Sequence, residues 1–177
     1  DKGIFVLTEH EVEALKLSDS EKKFVKKFYK NSDITKYTIA NNSDSYFLYI
    51  NSIESELQLK KYSNIYSHFL HYKNDLGKRA KNGVLESAYK KGKWWALKTD
   101  RPNVNWSESK IVCPQRAREN KFAYVDENFL SSVDIYFISQ NSKIYDLKYL
   151  LAILNSKLIF FWLYWMGKRK GEMLELY

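Results

Sequence analysis

The sequence predicts an α+β fold: a strand-rich, curved mixed sheet flanked by helices, with a long buried helix near the C-terminus. The middle of the chain alternates short apolar, aromatic and β-branched runs with polar turns, while segments toward both ends show helical periodicity. Helices grouped around a strand-rich middle favour α+β over regular βαβ alternation. With 45% apolar and 16% aromatic residues over 177 positions, the chain can bury a core without disulfide or metal staples.

Residues 3–7 (Gly-Ile-Phe-Val-Leu) read as a first strand, and Thr8 with Glu11 has the capping-box spacing that opens a helix. A second helix is expected over 20–29, with Phe24, Val25 and Phe28 on one face and Lys22, Lys23, Lys26 and Lys27 on the other. Residues 46–50 read as a strand. Ile65, Phe69 and Tyr72 recur at helical spacing from Asn64, in a helix that can run on to Arg79. Residues 94–98 and 110–113 read as strands, ended by Asp100-Arg101-Pro102 and by Pro114. Residues 114–120 are expected as a polar loop holding Arg116 and Arg118. Strands over 122–125 and 134–139 follow, then the long helix over 146–166, a basic turn at Gly167-Lys-Arg-Lys-Gly171, and a short final helix over 172–177. No internal repeat interrupts this order, and the whole is expected to be one domain, 1–177.

Charge is regional. The formal net charge is +8, but residues 60–121 alone hold 15 Lys/Arg against 5 Asp/Glu, a local net of +10. Concentrated positive charge attracts polyanions and releases their counterions; a solvated basic face is the plain alternative. The single cysteine, Cys113, gives no sign of an oxidising compartment, so a cytoplasmic setting is expected. The chain opens Asp1-Lys2-Gly3 without Met or secretory leader and reads as a fragment of something longer.

Several chemistries find little support. The apolar stretch 149–166 is 18 residues long, near the minimum for a bilayer, but its middle is Asn155-Ser156-Lys157. A mid-span Lys costs roughly 2.5–3.5 kcal/mol, so a core helix is expected and no membrane partner. His68 and His71 share a helix face but lack further ligands for zinc. There is no glycine-rich nucleotide loop, serine elbow or metalloprotease helix motif, and Cys113 suits packing better than an activated thiolate. Adjacent Asp126 and Glu127 do not make a nuclease cluster. No catalytic residue, metal or cofactor is expected in this chain.

The basic segments offer more. Lys90-Lys-Gly-Lys-Trp-Trp95 joins charge to flat apolar rings, and Gln115-Arg-Ala-Arg118 presents the side chains that pair bidentately with adenine and guanine edges. The cluster Lys168-Arg-Lys170 reads more simply as positive charge at a helix C-terminus.

Five ordered segments then carry a resemblance: Lys30-Asn-Ser-Asp-Ile-Thr-Lys-Tyr37; Trp94-Trp-Ala-Leu97 with Arg101; Lys110-Ile-Val-Cys-Pro114; Phe122-Ala-Tyr124 with Asp134-Ile-Tyr-Phe-Ile138; and Leu147-Lys-Tyr-Leu-Leu-Ala-Ile-Leu-Asn-Ser-Lys-Leu158 with Lys168-Arg-Lys-Gly-Glu172. Together they resemble the TaqI-like C-terminal specificity domain of adenine-N6 DNA methyltransferases and combined restriction–modification enzymes. The resemblance covers nearly the whole chain. It implies a target-recognition domain that docks on duplex DNA beside a methyltransferase domain of the same parent chain. That domain would use S-adenosylmethionine and receive a flipped adenine at an Asn-Pro-Pro-Tyr-type motif. This chain has no Asn-Pro-Pro, its prolines being Pro102 and Pro114, so catalysis is expected upstream.

The variable stretches 73–93 and 114–121 are then the expected DNA face, in agreement with the charge count. Lys78, Arg79, Lys81, Lys90, Lys91, Lys93, Arg101 and Lys121 are expected on phosphates; Gln115, Arg116 and Arg118 are expected on bases. A protein-interaction module, or a domain with nuclease activity of its own, are the rival functions.

Overall fold

The computed structural model describes residues 3–40, 44–79, 84–97, 106–126, 128–139 and 145–177. They fall into two compact units, residues 1–27 with 44–104 and residues 28–43 with 105–177. Helices and mixed strand pairings make the fold α+β, as expected.

In the first unit β1 (Val6–Thr8) leads into α1 (Glu9–Ala14) through the anticipated capping box, Glu11 N–H donating to Thr8 Oγ1 at 3.3 Å and Thr8 N–H to Glu11 Oε2 at 2.7 Å. A second box, Ser18 with Glu21, opens α2 (Asp19–Lys22). The helix expected over 20–29 stops there. The chain straightens into β2 (Val25–Tyr29), whose Val25 and Lys27 stand opposite Leu48 and Tyr46 of β3 (Ser45–Leu48). Strand pairing overrides a helical spacing of apolar residues that also satisfies a β-branched and aromatic strand. β3 also pairs antiparallel with β1.

Four further helices complete this unit: α3 (Glu56–Lys60), α4 (Ser63–His71), α5 (Lys73–Arg79) and α6 (Val84–Lys90). Glu21 ties α2 to α4, because its carboxylate also accepts from the Asn64 and Ile65 amides at 2.8 and 3.2 Å. Those amides have no partner within the helix, so an anion there is favoured. Burial opposes the charge of Glu21, but donors from Ser18, Asn64 and Ile65 outweigh it and hold the carboxyl down at about 2.

Phe5, Leu48, Ile50, Leu59, Ile65, Phe69, Leu76, Trp94 and Trp95 form the core of this unit. The strand expected over 94–98 is absent from its described part, 94–97. Trp94 and Trp95 enter the core together, their rings 5.5 Å apart and perpendicular. Neighbours on a strand point to opposite faces, so a turn is the backbone that buries both.

In the second unit β4 (Lys110–Pro114) lies between antiparallel β6 (Ala123–Val125) and β8 (Ile135–Ser139), with Ile111 opposite Tyr124 and Ile138. β4 is buried along its length. Ile111 and Cys113 join one apolar cluster and Val112 another, which contains Tyr29, Ile34 and Phe129. Both faces of the strand are covered, and its apolar run is continuous for that reason. Residues Phe28 and Tyr29 pair in parallel with β7 (Leu130–Ser131), and the Tyr29 and Phe129 rings stack at 4.4 Å.

The long buried helix is corrected in two respects. It is two helices, α7 (Leu147–Leu154) and α8 (Lys157–Met166), bent by 59°. Asn155 is the C-cap of the first and Ser156 the N-cap of the second, the Ser156 hydroxyl accepting from Ile159 N–H at 3.2 Å. The break is held from outside: Asn155 Oδ1 accepts from Phe122 N–H at 3.1 Å while its Nδ2 donates to Phe122 C=O at 2.8 Å. Asn120 Nδ2 donates to the Leu154 and Ser156 carbonyls. After the bend α8 buries no residue, and Leu158, Phe161, Trp162, Trp165 and Met166 are more than half exposed. No single helix among the described residues is long and apolar enough to cross a membrane.

The final helix expected over 172–177 is also corrected. Gly171, at φ +61°, turns β9 (Arg169–Lys170) into β10 (Met173–Glu175), a hairpin. β10 then pairs with β5 (Arg116–Ala117), which replaces part of the expected polar loop. Burial of Leu174 and Leu176 with Ala117 in one cluster rewards the alternation of a strand.

Candidate nucleic-acid interface

Each unit carries its own cationic surface. In the first, α5 and α6 approach closely at Gly77, where a Cβ would lie 3.3 Å from Tyr89 Oη. Lys78 on α5 meets Asp75 at 3.0 Å and Lys90 on α6 meets Glu86 at 2.6 Å, all four side chains at least a third exposed. Lys91 is exposed, and Lys93 is a quarter exposed, 2.6 Å from Glu54. Lys73 sits 4.9 Å above the Trp94 ring. Arg79 lies on α5, while Lys81 and Arg101 lie outside the described residues. The tryptophans expected to offer flat apolar rings are 5% and 2% exposed, so their rings serve the core instead.

In the second unit, Gln115 is fixed through its backbone, donating to Asp134 C=O at 2.6 Å and accepting from Leu176 N–H at 3.0 Å. Arg116, a third exposed, donates Nε–H to Glu175 Oε1 at 3.0 Å, and Lys168 reaches Glu175 Oε2 at the same distance. Tyr177 Oη donates to Oε2 as well. The Glu175 side chain is 5% exposed. The Lys168 hydrogen bond, then that of Arg116, holds its carboxyl below the usual range, and the same contact raises Lys168. Arg118 is 81% exposed and 3.9 Å from Glu172. Lys121 is half-buried, and the neighbouring Glu119 pairs with Lys36 at 2.9 Å.

Arg116 thus stands in a small sheet, with Gln115 and Arg118 flanking its strand, and the hairpin of that sheet brings Arg169 and Lys170, with Lys168 just before them, to the same place; from sequence these three cations read as helix-end charge. The signal that distinguishes them is the alternation Met173-Leu-Glu-Leu176 after a glycine, a strand pattern rather than a helical one.

Other chemistries find no seat. Cys113 donates its thiol to Leu176 C=O at 3.3 Å, and burial pushes it up to about 12. His68 Nε2 sits 2.8 Å from Ile4 C=O, and burial lowers its pKa. Among the described residues no group of His, Cys, Asp or Glu is placed to hold a metal ion. Gly3, Gly92 and Gly171 occupy positive-φ turns.

Comparison with known proteins identifies the family. The TaqI-like C-terminal specificity domain family matches residues 26–175. The Type II methyltransferase M.MjaIV of Methanocaldococcus jannaschii is 30% identical over 175 residues, 96% of this chain and 56% of that protein. The Type II methyltransferase M.HindII of Haemophilus influenzae is 26% identical over 136 residues, 73% of this chain and 26% of that one. The fold matches a solved chain of the Type IIL restriction-modification enzyme MmeI in complex with DNA, at a TM-score of 0.66 and 16% identity over 99% of this chain and 22% of that one. This chain thus spans about half, or less, of the length of each. It belongs to the TaqI-like C-terminal specificity domain family.

Proposed function

We propose that the chain is the duplex-DNA specificity domain of a site-specific adenine-N6 DNA methyltransferase, acting in the cytoplasm, with units one and two together serving as one recognition domain. The family match over residues 26–175, coinciding with the cationic surfaces of residues 73–121, is the observation that carries this reading. The relatives named as methyltransferases extend well beyond the aligned part. S-adenosylmethionine and the flipped adenine are accordingly assigned to a catalytic domain of the parent chain.

The work divides by chemistry. Lys78, Arg79, Lys81, Lys90, Lys91, Lys93, Arg101 and Lys121 hold phosphates and set register. Gln115, Arg116 and Arg118 meet base edges. The acids beside Lys78 and Lys90 are exposed, and such pairs contribute about 0–1 kcal/mol, so phosphates can replace them at little cost.

The test is fluorescence-anisotropy titration of a labelled duplex at several salt concentrations. Affinity should fall steeply with salt, and Lys78→Gln or Lys91→Gln should each lower the log–log slope by about one for every duplex sequence. Gln115→Ala and Arg118→Ala should change the sequences enriched from a randomised duplex pool. Affinity that stays flat with salt would overturn the proposal.

A further inference from the structure

The register of β5, β10 and β9 puts Arg116 opposite Glu175, and Leu174 opposite both Ala117 and Arg169. Glu175 N–H also donates to Lys168 C=O at 2.9 Å, so Arg116, Glu175 and Lys168 form one row across the sheet. The central carboxylate engages the cations on either side, one with each oxygen. Side chains alternate along a strand, which places Lys170 on the face of Lys168, while Arg118, one residue past β5, comes within 3.9 Å of Glu172 in the hairpin turn. The row between belongs to the opposite face: Ala117 and Leu174 are buried there, and Arg169 packs its guanidinium 4.2 Å from the Tyr164 ring centroid. One face of this sheet thus gathers Arg116, Lys168 and Lys170 around a nearly buried glutamate, with Arg118 beside the hairpin turn.

We infer that Lys168 and Lys170 on the β9–β10 hairpin contact DNA phosphates beside Gln115, Arg116 and Arg118, and that Glu175 is the positioning residue that aims Arg116. This rests on the DNA-binding function proposed above. A carboxylate gripping Nε restricts the rotamers of a long side chain before binding, and that ordering no longer has to be supplied by the complex. Residues 168–170 lie outside the basic stretch 60–121 and come beside β5 only through the fold.

The experiment uses the same 177-residue chain and labelled duplex over a salt series, with circular dichroism to verify each variant's fold. Lys168→Gln and Lys170→Gln should each lower the salt slope by about one, while Arg169→Gln on the other face changes it by less than about half as much. Removing an acid from a cationic surface tightens polyanion binding by electrostatics alone, and Glu172→Gln, 87% exposed, should do so. Glu175→Gln should instead weaken binding roughly tenfold, the effect of misplacing one well-aligned contact. Should Glu175→Gln fail to fold, Arg116→Lys keeps the charge and loses the Nε contact, and is expected to weaken binding with an unchanged slope. An unchanged slope in Lys168→Gln and Lys170→Gln, beside normal binding by the parent chain, removes the hairpin from the interface. Tightening by Glu175→Gln, or full affinity in Arg116→Lys, removes the positioning role. Loss of salt-dependent binding in the unaltered chain sinks the DNA reading itself and this inference with it.

Discussion

Lys78 and Lys90 of the first unit and Arg116 and Lys168 of the second are held by different kinds of neighbours. Lys78 and Lys90 reach Asp75 and Glu86, three and four residues away on their own helices, and all the groups involved are substantially exposed. Arg116 meets Glu175 across 59 residues of sequence, on a carboxylate only 5% exposed that Lys168 shares. Exposed helical pairs exchange partners readily and are screened by salt. A cation gripped from a second strand keeps one orientation. The first arrangement suits sequence-independent attraction to a polyanion, and the second suits a side chain that must arrive at a base edge correctly aimed.

The largest expected effect tests what supports the helical surface. Trp95 is 2% exposed in the core cluster that also holds Leu76 of α5, and Trp95→Ala should cost about 3–5 kcal/mol by denaturant unfolding. A smaller loss would mean that α5 and α6 stand without that core.

Acid probes the first unit next. The Glu21 carboxyl titrates at about 2 in the folded chain against an ordinary 4.5. Its stabilisation is fully present above pH 4.5 and is lost as pH falls toward 2. The effect is on the order of 3 kcal/mol, and Glu21→Gln should flatten this part of the pH profile. Glu175 follows the same sign, being lowered by Lys168 and Arg116, so its grip on both cations persists at neutral pH.

Asn155→Ala strips both of its hydrogen bonds to Phe122, leaving the buried Phe122 N–H unpaired while the Phe122 C=O keeps the Tyr37 N–H at 2.8 Å. A cost of about 2 kcal/mol is expected in thermal or urea unfolding. The comparison itself is sharpened by the smallest effects. Lys78→Gln should change stability by less than about 0.5 kcal/mol, whereas Arg116→Gln should lower the unfolding midpoint measurably. Equal midpoints for the two variants would erase the distinction between loose and fixed cations.

Much of the local structure was legible in the sequence because its causes are local. The Thr8–Glu11 capping box, the buried run at β4, the helix carrying Ile65 and Phe69, and the inert setting of Cys113 follow from spacing and side-chain chemistry within a few residues. The errors share one origin. Residues 25–29 and 173–175 satisfy helical and strand patterns alike, and the choice fell to partners 20 or more residues away, Leu48 for Val25 and Arg116 for Glu175. Asn155 and Ser156 were visible as polar interruptions, but the 59° break needed Phe122 and Asn120 to hold it.

By itself, then, the sequence determined the α+β class, the family and the concentration of charge at residues 60–121, since composition and ordered local motifs carry these. Tertiary structure alone decided that residues 168–170 come beside Arg116 through one small sheet. Strand pairing is a long-range contact whose free energy depends on the partner's side chains, and no local window contains both.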